Sequence, residues 1–256
     1  MYQAIVFFDL DGTLFDNQKE LLPSSLSAID ELRETNILPV ISTGRNIFEV
    51  QYVLNETGID SIISANGSYV VYAGSKLFAE ELSKTDLAEI TDYANAQGDP
   101  VAYFNSHEFR LSQQTDVTKE NYKLLRLNPI VDDDWYKTHE VNFLNIFNSN
   151  KEEQYNAHFK GKFSLVRNNP RCLDTMKYGV SKQTGIQQMI KYAGLEGIKT
   201  YAFGDQLNDL QMFDQVDVPI VMENGNPEAK KKAAYVTTSN ENDGIANGLR
   251  HFGLIR

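Results

Sequence analysis

The feature that most constrains the fold is a rhythm that starts, stops and resumes. Near the amino terminus "AIVFF" (4–8) reads as a buried strand, "SSLSAIDELRETN" as a helix with Leu26, Ile29 and Leu32 on one face, and "ILPVIST" as the next strand. Together they form a βαβ unit. A further helix in "NIFEVQYVLNETG" stops at Gly58, and a strand in "SIISANG" leads to a hairpin, "YVVYAGSKLFA", turning at Gly74. From about Leu82 to Tyr178 the alternation gives way to grouped strands and helices. After Gly179 it returns: helix "VSKQTGIQQMIKYAGL", strand "KTYAFGD", helix "NDLQMFDQV", strand "VPIVMEN", then helices "PEAKKKAAYV" and "GIANGLRHFG". The economical solution is one α/β core with a doubly wound, Rossmann-like parallel sheet, built from residues 1–82 and 179–256. Residues 83–178 then form an inserted α+β domain, placed to act as a cap over the sheet's ligand edge.

Composition narrows the partners. The 256 residues carry a formal net charge of -11, which argues against nucleic acid, since phosphate backbones are held by clustered Lys and Arg. The one basic run, Lys230 to Lys232, reads as the solvated face of a short helix. Cys172 is the sole cysteine, so no intrachain disulfide can form, and a buried structural role is expected. No apolar run approaches the roughly 18 residues that a membrane span requires, and residues 1–30 lack a secretory pattern. The expectation is a cytoplasmic protein, monomeric or weakly self-associating, whose partner is a small molecule rather than a nucleic acid or membrane.

Chemistry concentrates where strands end. "DLDGTL" follows the first strand and puts Asp9 and Asp11 two apart; in an extended segment both would face one side and repel, so positive charge is expected there. "YAFGDQLND" repeats the pattern with Asp205, followed by Asn208 and Asp209 in the first turn of the next helix. Oxygen-only donors with no neighbouring His or Cys favour a hard cation, and Mg²⁺ is the expected metal. "VISTGR" offers the Thr43 hydroxyl and Gly44 N–H at an expected helix start, and Lys182 in "GVSKQTG" adds a point charge. Taken singly, an Asp-x-Asp is usually a turn, "STGR" an ordinary junction and Lys182 a surface lysine. Together, carboxylates, a magnesium ion, a hydroxyl donor and a lysine describe phosphoryl transfer, and their fixed order, each at a strand-to-helix edge, argues against accident.

In that order, "FFDLDGTL", "STGR", the lysine after a long insert, "FGDQLNDLQMF" and the closing "EAKKKAAYVTTSNENDGIANGL" resemble the haloacid dehalogenase-like (HAD) phosphatases, specifically the Cof-like subfamily with a large C2-type cap. Gln183 and Gln206 stand where that subfamily favours Gly, and are expected to alter loop shape rather than chemistry. The resemblance implies a Mg²⁺-dependent phosphatase of small phosphorylated metabolites, sugar phosphates foremost, with Asp9 as nucleophile and an aspartyl-phosphate intermediate. It implies metal held by Asp9, the Asp11 carbonyl and Asp205, with Asp209 orienting that site. Phosphoryl oxygens would be bound by the Leu10 N–H, Thr43, Gly44, Lys182 and Asn208. The Asp11 side chain would be free to protonate the leaving group and then deprotonate water. A phosphomutase or a non-catalytic sugar-phosphate-binding regulator on the same fold are the alternatives; a receiver-type signalling domain would need only about half this length. Tyr103, His107, Arg110, Trp135 and Tyr136 could line a cap pocket, though burial in a core is the commoner fate of aromatic residues.

Overall fold

The computed structural model describes residues 2–256. Its elements run β1 (Ala4–Phe8), α1 (Pro23–Glu34), β2 (Leu38–Ser42), α2 (Gln51–Thr57), β3 (Ile62–Ser64), β4 (Tyr69–Tyr72) and β5 (Ser75–Ala79). Next come α3 (Lys84–Gln97), β6 (Val101–Phe104), β7 (Phe109–Leu111), α4 (Asp116–Leu124), β8 (Phe143–Phe147), α5 (Glu152–His158), β9 (Phe163–Asn169) and β10 (Cys172–Lys177). The chain closes with α6 (Lys182–Tyr192), β11 (Lys199–Gly204), α7 (Leu210–Phe213), β12 (Val218–Val221), α8 (Pro227–Lys232), β13 (Tyr235–Val236) and α9 (Gly244–His251). Two compact units result. One takes in the chain up to Arg45, Glu49–Phe78 and Ser181–Arg256; the other comprises Asn46–Phe48 and Ala79–Val180.

The first unit is an α/β core around one sheet of order β13-β12-β11-β1-β2-β3-β4-β5. Pairing is parallel from β13 to β3 and turns antiparallel at β3–β4. β1 is buried along its whole length, which is why it reads as a continuous apolar run rather than an alternating one. Ile5 and Phe7 pack with Ile186 and Met189 of α6 and with Met212 and Phe213. Phe8 stacks on Phe203 of β11 with ring centres 5.4 Å apart.

The second unit is α+β. Its sheet, of order β7-β6-β8-β10-β9, is antiparallel at each pair. One face buries Val101, Tyr103, Leu144, Ile146 and Leu173 against Leu87 and Ile90 of α3 and Tyr155 of α5. Tyr103, Trp135 and Tyr136 belong to this core, as ordinary burial would have them, whereas His107 is exposed and Arg110 half-buried.

Several local expectations need correction. "PEAKKKAAYV" is not one helix: α8 ends at Lys232, and Tyr235–Val236 pairs with β12 as β13. "NDLQMFDQV" gives a single 3-10 turn, Leu207–Asp209, and the four-residue α7. No helix begins at Gly44; the chain bends there and a 3-10 turn starts at Ile47. The basic run behaves as expected, since Lys231 pairs with Glu228, Lys232 with Asp214, and Lys230 with the Glu223 carbonyl. Cys172 is buried, and that burial pushes its thiol up to about 12.

Candidate active site

Neighbouring parallel strands β2, β1, β11 and β12 end on one edge of the core sheet, and the residues that follow them are Thr43, Asp9, Asp205 and the 222–224 turn. Because β1 lies between β2 and β11, strands from the two ends of the chain flank its last residue, the position where open α/β sheets form a crevice. After Asp9 the chain makes a wide turn over Leu10–Leu14 in which Gly12 takes φ +80°. A side chain there would be strained, and its Cβ would lie 2.5 Å from Asp205 Oδ2. Glycine at 12 is what lets the first acidic loop close on the second. Thr13 Oγ1 donates to Asp205 Oδ1 at 3.3 Å, and Asn224 Nδ2 donates to the Gly12 carbonyl at 2.8 Å.

Lys182 reaches this edge because of how α6 begins. Ser181 accepts from the Thr184 N–H, while Thr184 Oγ1 accepts from the Ser181 N–H, a reciprocal cap that fixes Lys182 as the first helical residue. The lysine is 1% exposed, and its ammonium donates to Asp9 Oδ1 at 2.6 Å and Asp209 Oδ1 at 2.7 Å. Burial alone would drive its pKa down, but Asp209 and Asp9 more than reverse this and hold it above the usual lysine range. Asp209 is fully enclosed. Its other oxygen accepts the N–H groups of Asp205 and Gln206, at 2.9 and 3.0 Å, so both oxygens are engaged in holding the second acidic loop.

Carboxylate oxygens of Asp9, Asp205 and Asp209 lie within 4.8 Å of one another. Burial pushes Asp9 well above the ordinary carboxylate range despite Lys182, and burial with the Asp209 charge raises Asp205 to about 6. Three buried carboxylates around one ammonium leave an excess of negative charge, and every donor is oxygen. That set fits a hard divalent cation.

Asp11 does not join this trio. Its carboxylate turns to Arg45, whose Nε donates to Oδ2 and Nη2 to Oδ1, each at 2.8 Å, and Lys19 also pairs with Oδ1. Burial would raise the Asp11 pKa, but Arg45 and Lys19 outweigh it and set the value at about 2. The two neighbouring carboxylates thus avoid repulsion by taking separate cations, and the Asp11 side chain is not free in this conformation. Of the expected phosphate-binding groups, Thr43 is buried with Oγ1 accepting the Arg45 N–H at 3.1 Å, and Gly44 follows it in the bend. Leu10 sits in the first acidic loop, and Asn208 is half-buried in the Leu207–Asp209 turn. Among the participants that went unassigned in the sequence are Arg45 and Gln206. Arg45 stands at the end of the "STGR" segment, where only its position beside Thr43 could have drawn notice. Gln206 does more than shape a loop, since its Nε2 donates to Asp205 Oδ2 at 3.0 Å.

A family model described as haloacid dehalogenase-like hydrolase matches residues 6–249. YkrA of Bacillus subtilis (strain 168), provisionally named a phosphatase, is 32% identical over 258 residues, covering 100% of both chains. A crystal structure of a hypothetical protein from Geobacillus kaustophilus HTA426 is 33% identical with TM-score 0.91, covering 99% of this chain and 100% of that one. BT4131, described as a HAD subclass IIB sugar phosphatase, is 25% identical with TM-score 0.88, covering 98% of this chain and 100% of its own. With the acidic loops at neighbouring strand ends, the lysine at the start of α6 and a match running almost the length of the sequence, this chain belongs to the haloacid dehalogenase-like hydrolases.

Proposed function

We propose that the enzyme is a Mg²⁺-dependent phosphatase of small phosphorylated metabolites, sugar phosphates foremost, that works by phosphoryl transfer to Asp9. The observation that carries this reading is the buried Asp9–Lys182–Asp209 chain beside Asp205, at the ends of adjacent strands. Among the relatives, BT4131 is named a sugar phosphatase, and YcsE of Bacillus subtilis, 24% identical, a 5-amino-6-(5-phospho-D-ribitylamino)uracil phosphatase. Both names describe small organophosphates.

Asp9, the Asp11 carbonyl and Asp205 would hold the magnesium ion, whose charge would offset that of the phosphate. Lys182 fixes Asp9 Oδ1 and orients the carboxylate for attack on phosphorus. Asp209 positions both Lys182 and the backbone before it. Thr43, Gly44, Asn208 and the Leu10 N–H bind phosphoryl oxygens. As the Asp9–phosphorus bond forms, the bond to the leaving oxygen breaks and that oxygen takes a proton from the Asp11 carboxyl group, for which Asp11 must first leave Arg45 and Lys19 and take up a proton. In the second step Asp11 takes a proton from water as its oxygen attacks phosphorus, which frees inorganic phosphate and restores Asp9. The inserted unit, by its place in the sequence, serves as the cap that limits access to small substrates. A cytoplasmic location fits a chain whose one cysteine is a buried thiol.

The deciding experiment is a screen of phosphorylated metabolites against chelator-treated protein with and without added Mg²⁺. Phosphate release from sugar phosphates that needs the metal is the expected result. Release from no metabolite would remove the phosphatase reading, and full activity in chelator would remove the metal from it.

A further inference from the structure

The turn after β12 touches both acidic loops. Asn224 Nδ2 donates to the Gly12 carbonyl in the first loop at 2.8 Å, and the Asn226 N–H donates to the Asp205 carbonyl in the second at 2.7 Å. Asn224 is exposed, yet both ends of its amide are engaged, because Oδ1 accepts the Asn240 N–H at 3.0 Å. That pairing fixes which end of the amide faces the first loop. Asn240 is itself buried, and its Nδ2 donates to the Phe15 carbonyl at 2.9 Å. The first loop is thus tied at Gly12 and at Phe15 to side chains 212 and 225 residues further along the chain. Gly12 is where such a tie matters. A glycine lets the chain turn at φ +80°, but it also lets the peptides on either side of it rotate more freely than another residue would. The peptide before it carries the Asp11 carbonyl, and the peptide after it carries the carbonyl that Asn224 holds.

We propose that Asn224, supported by Asn240, is a positioning residue for the metal site and sets its preference for Mg²⁺ over Ca²⁺. Mg²⁺ demands near-ideal octahedral geometry at about 2.0–2.1 Å, whereas Ca²⁺ accepts about six to eight oxygens at about 2.3–2.6 Å in looser arrangements, so the spacing and rigidity of the donors decide between them. Asp9 and the Asp11 carbonyl come from one loop and Asp205 from the other, and the turn that bonds to both loops holds their spacing. Asn224 therefore acts through the Gly12 peptide and not as a ligand. This rests on the Mg²⁺ reading above, with the donors as given there.

The test titrates metal-free, full-length protein with magnesium chloride and, separately, with calcium chloride in a calorimeter. Asn224→Ala removes the tie and leaves every metal donor in place. It is expected to weaken Mg²⁺ binding about 10-fold and Ca²⁺ binding by no more than about threefold, so that the preference between the ions narrows. Thr200→Val is the control for a general loosening of the fold: Thr200 Oγ1 donates to Asp217 Oδ2 at 2.9 Å near the start of β11, the end of that strand opposite Asp205. Its affinities for both ions should stay within about twofold of the wild type. An Asn224→Ala protein with both affinities unchanged, or with equal losses for the two ions, would overturn the proposal, as would the same narrowing in Thr200→Val. Should Asn224→Ala fail to fold, Asn224→Ser, whose hydroxyl is too short to span the Gly12 carbonyl and the Asn240 N–H, carries the same comparison. Wild-type protein that binds neither ion would instead remove the metal reading, and this inference with it, so the two failures are told apart.

Discussion

Lys182 and Asp9 form a buried ion pair whose two members should respond oppositely to neutralisation. Removing the lysine leaves Asp9 and Asp209 enclosed without their counter-charge, whereas replacing Asp9 by its amide relieves part of the carboxylate excess. Lys182→Met should therefore lose both activity and stability, the latter by about 3 kcal/mol or more. Asp9→Asn should abolish turnover with the melting temperature unchanged or raised. Phosphate-release assays and thermal melts of both variants check this; an Asp9→Asn protein that still turns over would move the nucleophile elsewhere. The acidic residues were legible in the sequence because each stands at the end of an unmistakable apolar strand. Arg45 was not, since its role depends on which carboxylate lies across from it, and that is a tertiary fact. The repulsion between Asp9 and Asp11 was foreseeable; its resolution through Lys182 on one side and Arg45 with Lys19 on the other was not.

At the scale of elements, the lysine's reach depends on how closely α6 approaches the chain beyond β3. Gly67 has φ +98°, and a Cβ on it would lie 2.1 Å from the Ser181 carbonyl oxygen, a backbone atom that cannot rotate away. Gly67→Ala should push the start of α6 outward, costing about 2–3 kcal/mol and lowering kcat by more than an order of magnitude. Urea unfolding and steady-state kinetics measure the two effects; an active, fully stable Gly67→Ala protein would show that Lys182 is placed by something else. Elements with strong periodicity were readable, among them β1, β2, α6 and β11. Others carry weaker signals. In β10 the buried Asp174, hydrogen-bonded by Asn145 across the sheet, interrupts the apolar pattern, and in α4 the polar run "DVTKEN" hides a helix signalled only by the Thr115 cap. The short β13 escaped because its two residues follow a lysine-rich helix without a breaker.

For the molecule as a whole, the acidic trio adds local repulsion to a net charge of -11. Asp205 titrates near 6 when folded, against an ordinary value of 3.8, and Asp9 is raised as well. A folded state that holds protons more tightly than the unfolded chain gains stability at low pH and loses it as pH rises through the folded pKa. In chelator, the melting temperature should thus fall between about pH 4 and 6 and beyond. Asp11, lowered to about 2, acts only below that window, where its contribution disappears on acidification. Added Mg²⁺ should reverse the fall by binding the folded form, and Asp205→Asn should flatten both responses. Fluorescence melts across this range decide it; a wild-type profile that is flat in chelator would deny the trio its excess charge. The sheet order carries one more consequence. β1 pairs with β11, and Asp9 meets Lys182, which lies 173 positions further along the sequence, beyond the whole inserted unit. During synthesis Asp9 emerges well before Lys182, so it has no counter-charge until the whole inserted unit has left the ribosome. Until then the apolar "AIVFF" strand lacks a neighbour on one side, a sticky edge that a nascent chain must shield. The order of translation itself thus keeps the carboxylate unarmed until the rest of the site exists.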